Sequence, residues 1–394
     1  MEKILMTTAY LVLADGLVFE GESVGVEGVA CGEVVFNTAQ YGYQEIMTDP
    51  SYLGQMIVFT QPHIGNTGIN QADMESEKAW VSGVVLHNYS LLASNYRSEE
   101  TLGEFFQRQN KVAISEVDTR ALTHHLRDKG SQAGCIMTGE LNYEHALQQA
   151  RAFEGLAGKD LAQKVSTTTK YAWNEGSFFA TKVAPKPSSP HVIVYDFGVK
   201  YSILRQLIDA GATVTVVPAN TSVDEVLTLQ PDGIVLSNGP GDPAACTYAI
   251  EATKRLLNKG IPLMGICLGH QILALASGAV TEKMKLGHHG ANHPIINLQT
   301  DTVAISSQNH GFVVSEKNFP ANLVITARSL FDNTVAGIAR VDVPAFGFQG
   351  HPEAGPGPTE LNSLFRDYMR LIHFQLKAVM PACAGMTTTN REIL

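Results

Sequence analysis

The stretch Gly260–Val280, GIPLMGICLGHQILALASGAV, decides how the second half of this chain is read. It is apolar over bilayer length, but Pro262, Gly265, Gly269, Gly278, His270 and Gln271 interrupt it, and uncompensated polar groups at mid-membrane are costly. A buried strand, Ile261–Ile266, running into a buried helix, Gln271–Ala276, fits instead. Cys267 falls at the join. Glycine two positions to either side of a residue is what a nucleophile elbow needs, because side chains there would clash in so tight a turn. Such a turn pushes the sulfur out at the top of a sheet, at a helix N-terminus whose partial positive charge favours thiolate. The plainer alternative is a cysteine packed between strand and helix; Gly265 and Gly269 tilt the reading toward the elbow.

Working outward, strand-like and helical runs alternate: His191–Asp196, Ser202–Ala210, Thr213–Val217, Val223–Leu229, Gly233–Ser237 and Thr247–Asn258. This alternation predicts right-handed crossovers and an α/β fold whose doubly wound, largely parallel sheet is flanked by helices. Ligands of such sheets gather just past the C-terminal ends of strands. Further strand candidates follow at Val303–Ser306, Leu323–Ala327, Val335–Ala339 and Ala345–Gln349, then an amphipathic helix from Glu360 to Lys377.

The first half has a different rhythm. Short β-like runs, Leu11–Phe19, Glu33–Asn37 and Gln55–Thr60, are punctuated by Gly and Pro, and the helical stretch Thr119–Lys129 carries Ala121, Leu122 and Leu126 at helical spacing. A mixed α+β N-terminal domain is expected. Thr181–Pro190, with three prolines and two serines, reads as the linker. The expected division is therefore residues 1–187 including the linker, a second domain at 191–378, and a disordered tail at 379–394.

Composition narrows the function classes. At roughly 150 residues per domain, 394 residues suggest two or three domains, and 44% hydrophobic against 17% charged residues describes a globular protein. A net charge of -10 would repel phosphate backbones and anionic headgroups, so neither nucleic acid nor a membrane is an expected partner. Five cysteines without a CxxC pair fit free thiols in a reducing cytoplasm.

A thiolate that attacks a carbonyl needs a base and a group to orient that base. Gly350-His351-Pro352-Glu353 follows the strand Ala345–Gln349 and could supply both, with Pro352 stiffening the bend so that Glu353 faces the imidazole. Alone it reads more readily as a surface His-Pro turn, and it gains weight only together with the cysteine elbow. Ser237-Asn238-Gly239-Pro240-Gly241-Asp242-Pro243 also follows a strand, and its glycines let backbone N–H groups approach an oxyanion, with a second donor from Leu268. A plain tight turn is the alternative; phosphate cradling lacks both a Gly-Lys-Ser/Thr ending and a G-x-G-x-x-G run. His288, His289, His293 and His310 match no standard metal spacing, and no metal is expected.

Together, GICLGHQ, HPE and LSNGPGDP resemble the class I (triad) glutamine amidotransferase domain. The likeness extends through GEVVFNT, GYQEIMTDPSY and PHIGNTG in the first half and YDFGVK, KMKLGHHGANHP and QNHGF in the second. This set resembles the small, glutamine-hydrolysing subunit family of carbamoyl-phosphate synthetase. The resemblance implies that Cys267 is the nucleophile toward L-glutamine, His351 the general acid/base and Glu353 the orienting carboxylate. It implies an oxyanion hole at Gly239 and Leu268, and glutamine contacts at Ser51, Gly239, Gly241, Leu268, Gln271, Asn309, Gly311 and Phe312. It further implies no cofactor in this chain, with ATP and Mg on a large synthetase subunit that receives the ammonia and makes carbamoyl phosphate for arginine and pyrimidine synthesis. The assembly implied is a cytoplasmic heterodimer or a higher oligomer of it. Where the family often has Asn and Ser, this chain has Ser202 and Gly355. Two rivals, a cysteine peptidase on a similar sheet and a non-catalytic module, leave the first-half motifs or the intact set Cys267, His351 and Glu353 without a reason.

Overall fold

The computed structural model describes residues 7–178 and 188–379. The chain forms two compact units: one holds the residues up to Ala157 with Met284–Asn292 and Gly355–Gly357, the other Gly158–Lys283, His293–Ala354 and the chain from Pro358. The division falls at Gly158 rather than in the Pro-rich stretch, most of which lies outside the described residues. The reason is pairing: Tyr171–Trp173 joins the second unit's sheet antiparallel to Thr213–Pro218, and Asp160 bridges Gly241. The expected tail, from residue 380 on, also lies outside the described residues.

The first unit is a closed barrel in the order Thr8–Leu13, Val18–Ser23, Ala113–Ser115, Gly83–Val85, Gln55–Phe59, Val29–Asn37 and Gln132–Thr138, the last pairing back to the first. The run read as one strand, Leu11–Phe19, is a hairpin, because Asp15-Gly16 turns the chain with Gly16 at φ 96°. Period-two alternation divides the strand side chains between two cores. Val34, Met56, Val58 and Val85 pack with Leu122 and Leu126 of the helix Thr119–Lys129, while Val35, Ile57, Phe59 and Val84 pack with Tyr52, Leu102, Phe105 and Phe106. Ala121, expected on the buried face of that helix, is exposed.

The second unit is built on a 10-stranded sheet. Its centre is parallel: Thr213–Pro218, His191–Asp196, Gly233–Leu236, Leu263–Ile266 and Ala345–Phe348. Antiparallel pairing then adds Val335–Arg340, Leu323–Ser329 and Val280–Asn297, with Val303–Ser315 at the edge. Both faces are covered. Ile193, Ile234 and Leu263 pack with Leu256, Ile272 and Leu273 on one face; Val192, Val194, Val235 and Met264 pack with Ile203, Leu207, Phe365 and Ile372 on the other. Each fully buried aliphatic side chain of this kind contributes roughly 1.5–3 kcal/mol. No helix among the described residues is long and apolar enough to cross a membrane, and the stretch Gly260–Val280 holds the strand Leu263–Ile266 and the helix Leu268–Ala276.

Candidate active site

The strand Leu263–Ile266 ends at Cys267, which is the N-cap of the helix Leu268–Ala276 and adopts φ 52°, ψ -105°. For a residue with a Cβ this backbone is strained by about 1–3 kcal/mol, and the surroundings must hold it. They do so at close quarters. A Cβ on Gly269 would lie 2.1 Å from the Leu236 carbonyl oxygen and one on Gly265 2.5 Å from the Gly269 oxygen, so only glycine lets helix and strands meet here. The Cys267 N–H donates to Phe348 O at 2.9 Å and the Gly269 N–H to Ser237 O at 3.0 Å, pinning the turn between neighbouring strands.

The sulfur is not pushed out into the open. Cys267 is only 2% exposed, because Asn309 of the strand Val303–Ser315 and Gln349 close over it. The cover is polar: the thiol donates to Asn309 O at 3.5 Å, and Gln349 Nε2 donates toward Sγ at 3.9 Å.

His351 follows the central strand Ala345–Phe348 and is held by its N–H, which donates to Ser307 O at 2.9 Å. Its Nδ1 lies 2.6 Å from Glu353 Oε1 within the turn that Pro352 stiffens. The same carboxylate oxygen accepts a hydrogen bond from Lys200 Nζ at 3.0 Å, and that ammonium also donates to Ala354 O at 2.7 Å. All three side chains are buried. Burial opposes ionisation of Glu353, but the charges of Lys200 and His351 outweigh it and hold its carboxyl below the usual range. Burial likewise opposes a charged imidazole, yet the Glu353 charge, aided by hydrogen bonding with Cys267 and Glu353, drives the His351 pKa up. The ring is thus kept in its proton-carrying form with Nδ1 committed to the carboxylate, which leaves Nε2, the nitrogen toward Cys267, to exchange a proton with a reacting group.

The remaining expected residues fall into four groups. Gly239 and Leu268 are adjacent: a Cβ on Gly239 would lie 2.9 Å from Leu268 Cδ2 and 2.1 Å from Phe197 O. Among the described residues no acceptor engages the N–H of either, so both are available as donors. Gln271 donates through Nε2 to Phe312 O at 2.8 Å and to Gln349 Oε1 at 3.0 Å, which ties the helix after Cys267 to the strand carrying Asn309, Gly311 and Phe312. Gly241, at φ 95°, is bridged by Asp160. Ser51 belongs to the first unit, in the turn Pro50–Tyr52 after Asp49, whose carboxylate accepts the Ser51 N–H at 2.9 Å.

Against this geometry, comparison with known proteins is decisive. Residues 11–136 match the family described as carbamoyl-phosphate synthase small chain, CPSase domain, and residues 193–371 match glutamine amidotransferase class-I. The chain belongs to the carbamoyl-phosphate synthase small-chain family. It is 55% identical over 374 residues to the carbamoyl phosphate synthase small chain of Photorhabdus laumondii subsp. laumondii, covering 93% of this chain and 97% of that one. It is 56% identical over 374 residues to the small chain of Acinetobacter baylyi, with 93% and 99% covered, and 52% identical over 381 residues to that of Salmonella typhi, with 95% and 100% covered. As a member of that family it carries the class I glutamine amidotransferase domain on the α/β sheet of its second unit.

Two site residues of this small chain went unrecognised in the sequence. Lys200 stood in the quoted YDFGVK, and a lysine between an apolar strand and the helix Tyr201–Asp209 is the signal that would have marked it. Gln349, as the last residue of an expected strand, carried no such signal. The four histidines lie on the strands Val280–Asn297 and Val303–Ser315, where His293 packs edge-on to Phe331 at 4.8 Å and His310 Nδ1 lies 2.8 Å from Phe312 O.

Proposed function

We propose that this small chain hydrolyses L-glutamine to glutamate and ammonia, and that the ammonia passes to a large ATP-using subunit. In this reading the Cys267 thiol gives up its proton to solvent, the sulfur attacks the side-chain carbonyl carbon as the thiolate, and the N–H groups of Gly239 and Leu268 receive the developing oxyanion. His351 delivers its Nε2 proton to the departing ammonia, so collapse leaves a γ-glutamyl thioester on Cys267. Water, deprotonated by the now neutral ring, then releases glutamate and restores the thiol. Glu353 fixes the ring through Nδ1, and Gln271, Asn309, Gly311, Phe312 and Gly241 contact the substrate. ATP and Mg act on the large subunit with bicarbonate, and the product serves arginine and pyrimidine synthesis.

The observation that carries this reading is the strained turn at Cys267 beside the buried, ion-paired His351 and Glu353, whose ring interacts with the Cys267 thiol. The test replaces Cys267 by Ser in the assembled synthetase. Glutamine-dependent carbamoyl phosphate formation is expected to fall by at least about 10⁴-fold while ammonia-dependent synthesis persists. Equal loss with both nitrogen donors breaks the assignment.

A further inference from the structure

Cys31 and Cys135 occupy directly opposed positions in the antiparallel pair Val29–Asn37 and Gln132–Thr138 of the barrel. Their sulfurs share a hydrogen bond at 3.0 Å. Opposed residues in antiparallel strands have Cα atoms about 4.5–5.5 Å apart, inside the roughly 4.4–6.8 Å span that a disulfide bridges, so the two thiols can join without a shift of strand register. Both belong to the first unit and neither takes part in the site around Cys267.

The two thiols differ in a way that suits sequential chemistry. Cys135 is wholly buried beneath the helix Tyr143–Ala152, among Val12, Met137, Ala146 and Leu147. Cys31 is partly exposed and lines a pocket of about 340 Å³ with Val26, Ser82, Asn110 and Lys111, which gives a small oxidant a route to its sulfur. The shared hydrogen bond lowers the Cys31 pKa, against its burial, and together with burial raises that of Cys135. The accessible thiol is therefore also the one favoured as thiolate, the form that reacts.

We propose that Cys31 and Cys135 are an oxidisable dithiol that hydroperoxides convert to an intramolecular cross-strand disulfide. The Cys31 thiolate attacks one oxygen of hydrogen peroxide, the O–O bond breaks, and hydroxide leaves to take up a proton as water. The Cys135 sulfur then attacks the Cys31 sulfenic sulfur, its proton leaves with the displaced hydroxide as a second water, and the S–S bond forms. Two thiols and one peroxide thus give one disulfide and two waters. Dithiothreitol reverses the reaction.

The test uses the full chain treated with equimolar hydrogen peroxide, alkylated under acid quench and digested without reductant. The expected product is one linked peptide pair carrying Cys31 and Cys135, lighter by two hydrogens than the reduced peptides together and separated again by dithiothreitol. In Cys135→Ser the link is lost and a dimedone adduct appears at Cys31. Cys267→Ser leaves the link in place. Recovery of Cys31 and Cys135 as separately alkylated thiols while Cys267 is oxidised overturns the proposal, as does a link from Cys31 to Cys383 or to a second chain. The wild-type digest alone decides the matter, so a poorly folding variant does not rescue it.

Discussion

Two buried cysteines in the second unit stand at the N-termini of helices, and only one has the neighbours of a nucleophile. Cys246 caps Thr247–Leu257 with φ -82°, and Cys267 caps Leu268–Ala276 with φ 52°. Both therefore meet the same helix dipole. Cys246 faces acid: its sulfur lies 3.6 Å from Asp160 Oδ1, and burial, reinforced by the Asp160 charge, pushes its pKa up to about 12. Cys267 instead lies among the Asn309 carbonyl, the Gln349 amide and the cationic ring of His351. A helix terminus alone does not make a reactive thiol; the turn that presents the sulfur and the sign of the nearest side-chain charge decide.

The sharpest way to break this contrast is to remove the charge behind the imidazole. Glu353→Gln is expected to lower glutamine-dependent kcat by about 10²-fold or more, because His351 loses both its orienting acceptor and the field that keeps it protonated. Steady-state rates with glutamine and with ammonia check this, the ammonia rate staying level. Gly269→Ala attacks the turn instead: with Leu236 O only 2.1 Å from the new Cβ, unfolding free energy should drop by about 2–3 kcal/mol in urea titrations.

A pH series separates charge from shape. The folded pKa of Glu353 is lowered, so its stabilisation is present above its ordinary value of 4.5 and is lost as pH falls through the folded value. That of His351 is raised, so its contribution is present below 6.5 and is lost as pH rises through the folded value. The melting-temperature gap between wild type and Glu353→Gln should therefore be widest at roughly pH 5–6 and narrow on acidification below about pH 4. A gap that ignores pH would mean that Glu353 acts by packing alone. The smallest effect belongs to the other cysteine: Cys246→Ser should leave the glutamine-dependent rate within about 3-fold of wild type.

Local pattern made much of this legible before the structure. His191–Asp196 and Thr119–Lys129 have the bounds that their apolar periodicity implied, and the elbow rests on two glycines at which an added Cβ would clash. What escaped was whatever depends on partners distant along the chain. The strand Val280–Asn297 was invisible because EKMKLGHHGANHP has no clean alternation; its place in the sheet between Leu323–Ser329 and Val303–Ser315 overrides that composition. The barrel contains parallel pairs such as Glu33–Asn37 with Gln55–Phe59, which no run of residues announces. Lys200 acquires its role from Glu353, 153 positions later, and reading the motif around it could not supply that meeting.

The order in which the central strands enter the sheet bears on how the protein is made. Ala345–Phe348 lies between Leu263–Ile266 and Val335–Arg340, yet it comes from near the end of the chain and brings with it the carbonyl that braces the Cys267 turn. On a ribosome that sulfur emerges long before any imidazole exists to serve it. A half-made polypeptide thus holds the thiol without the ring proposed to work with it, and the site is whole only when the last strand of the sheet has been threaded into place.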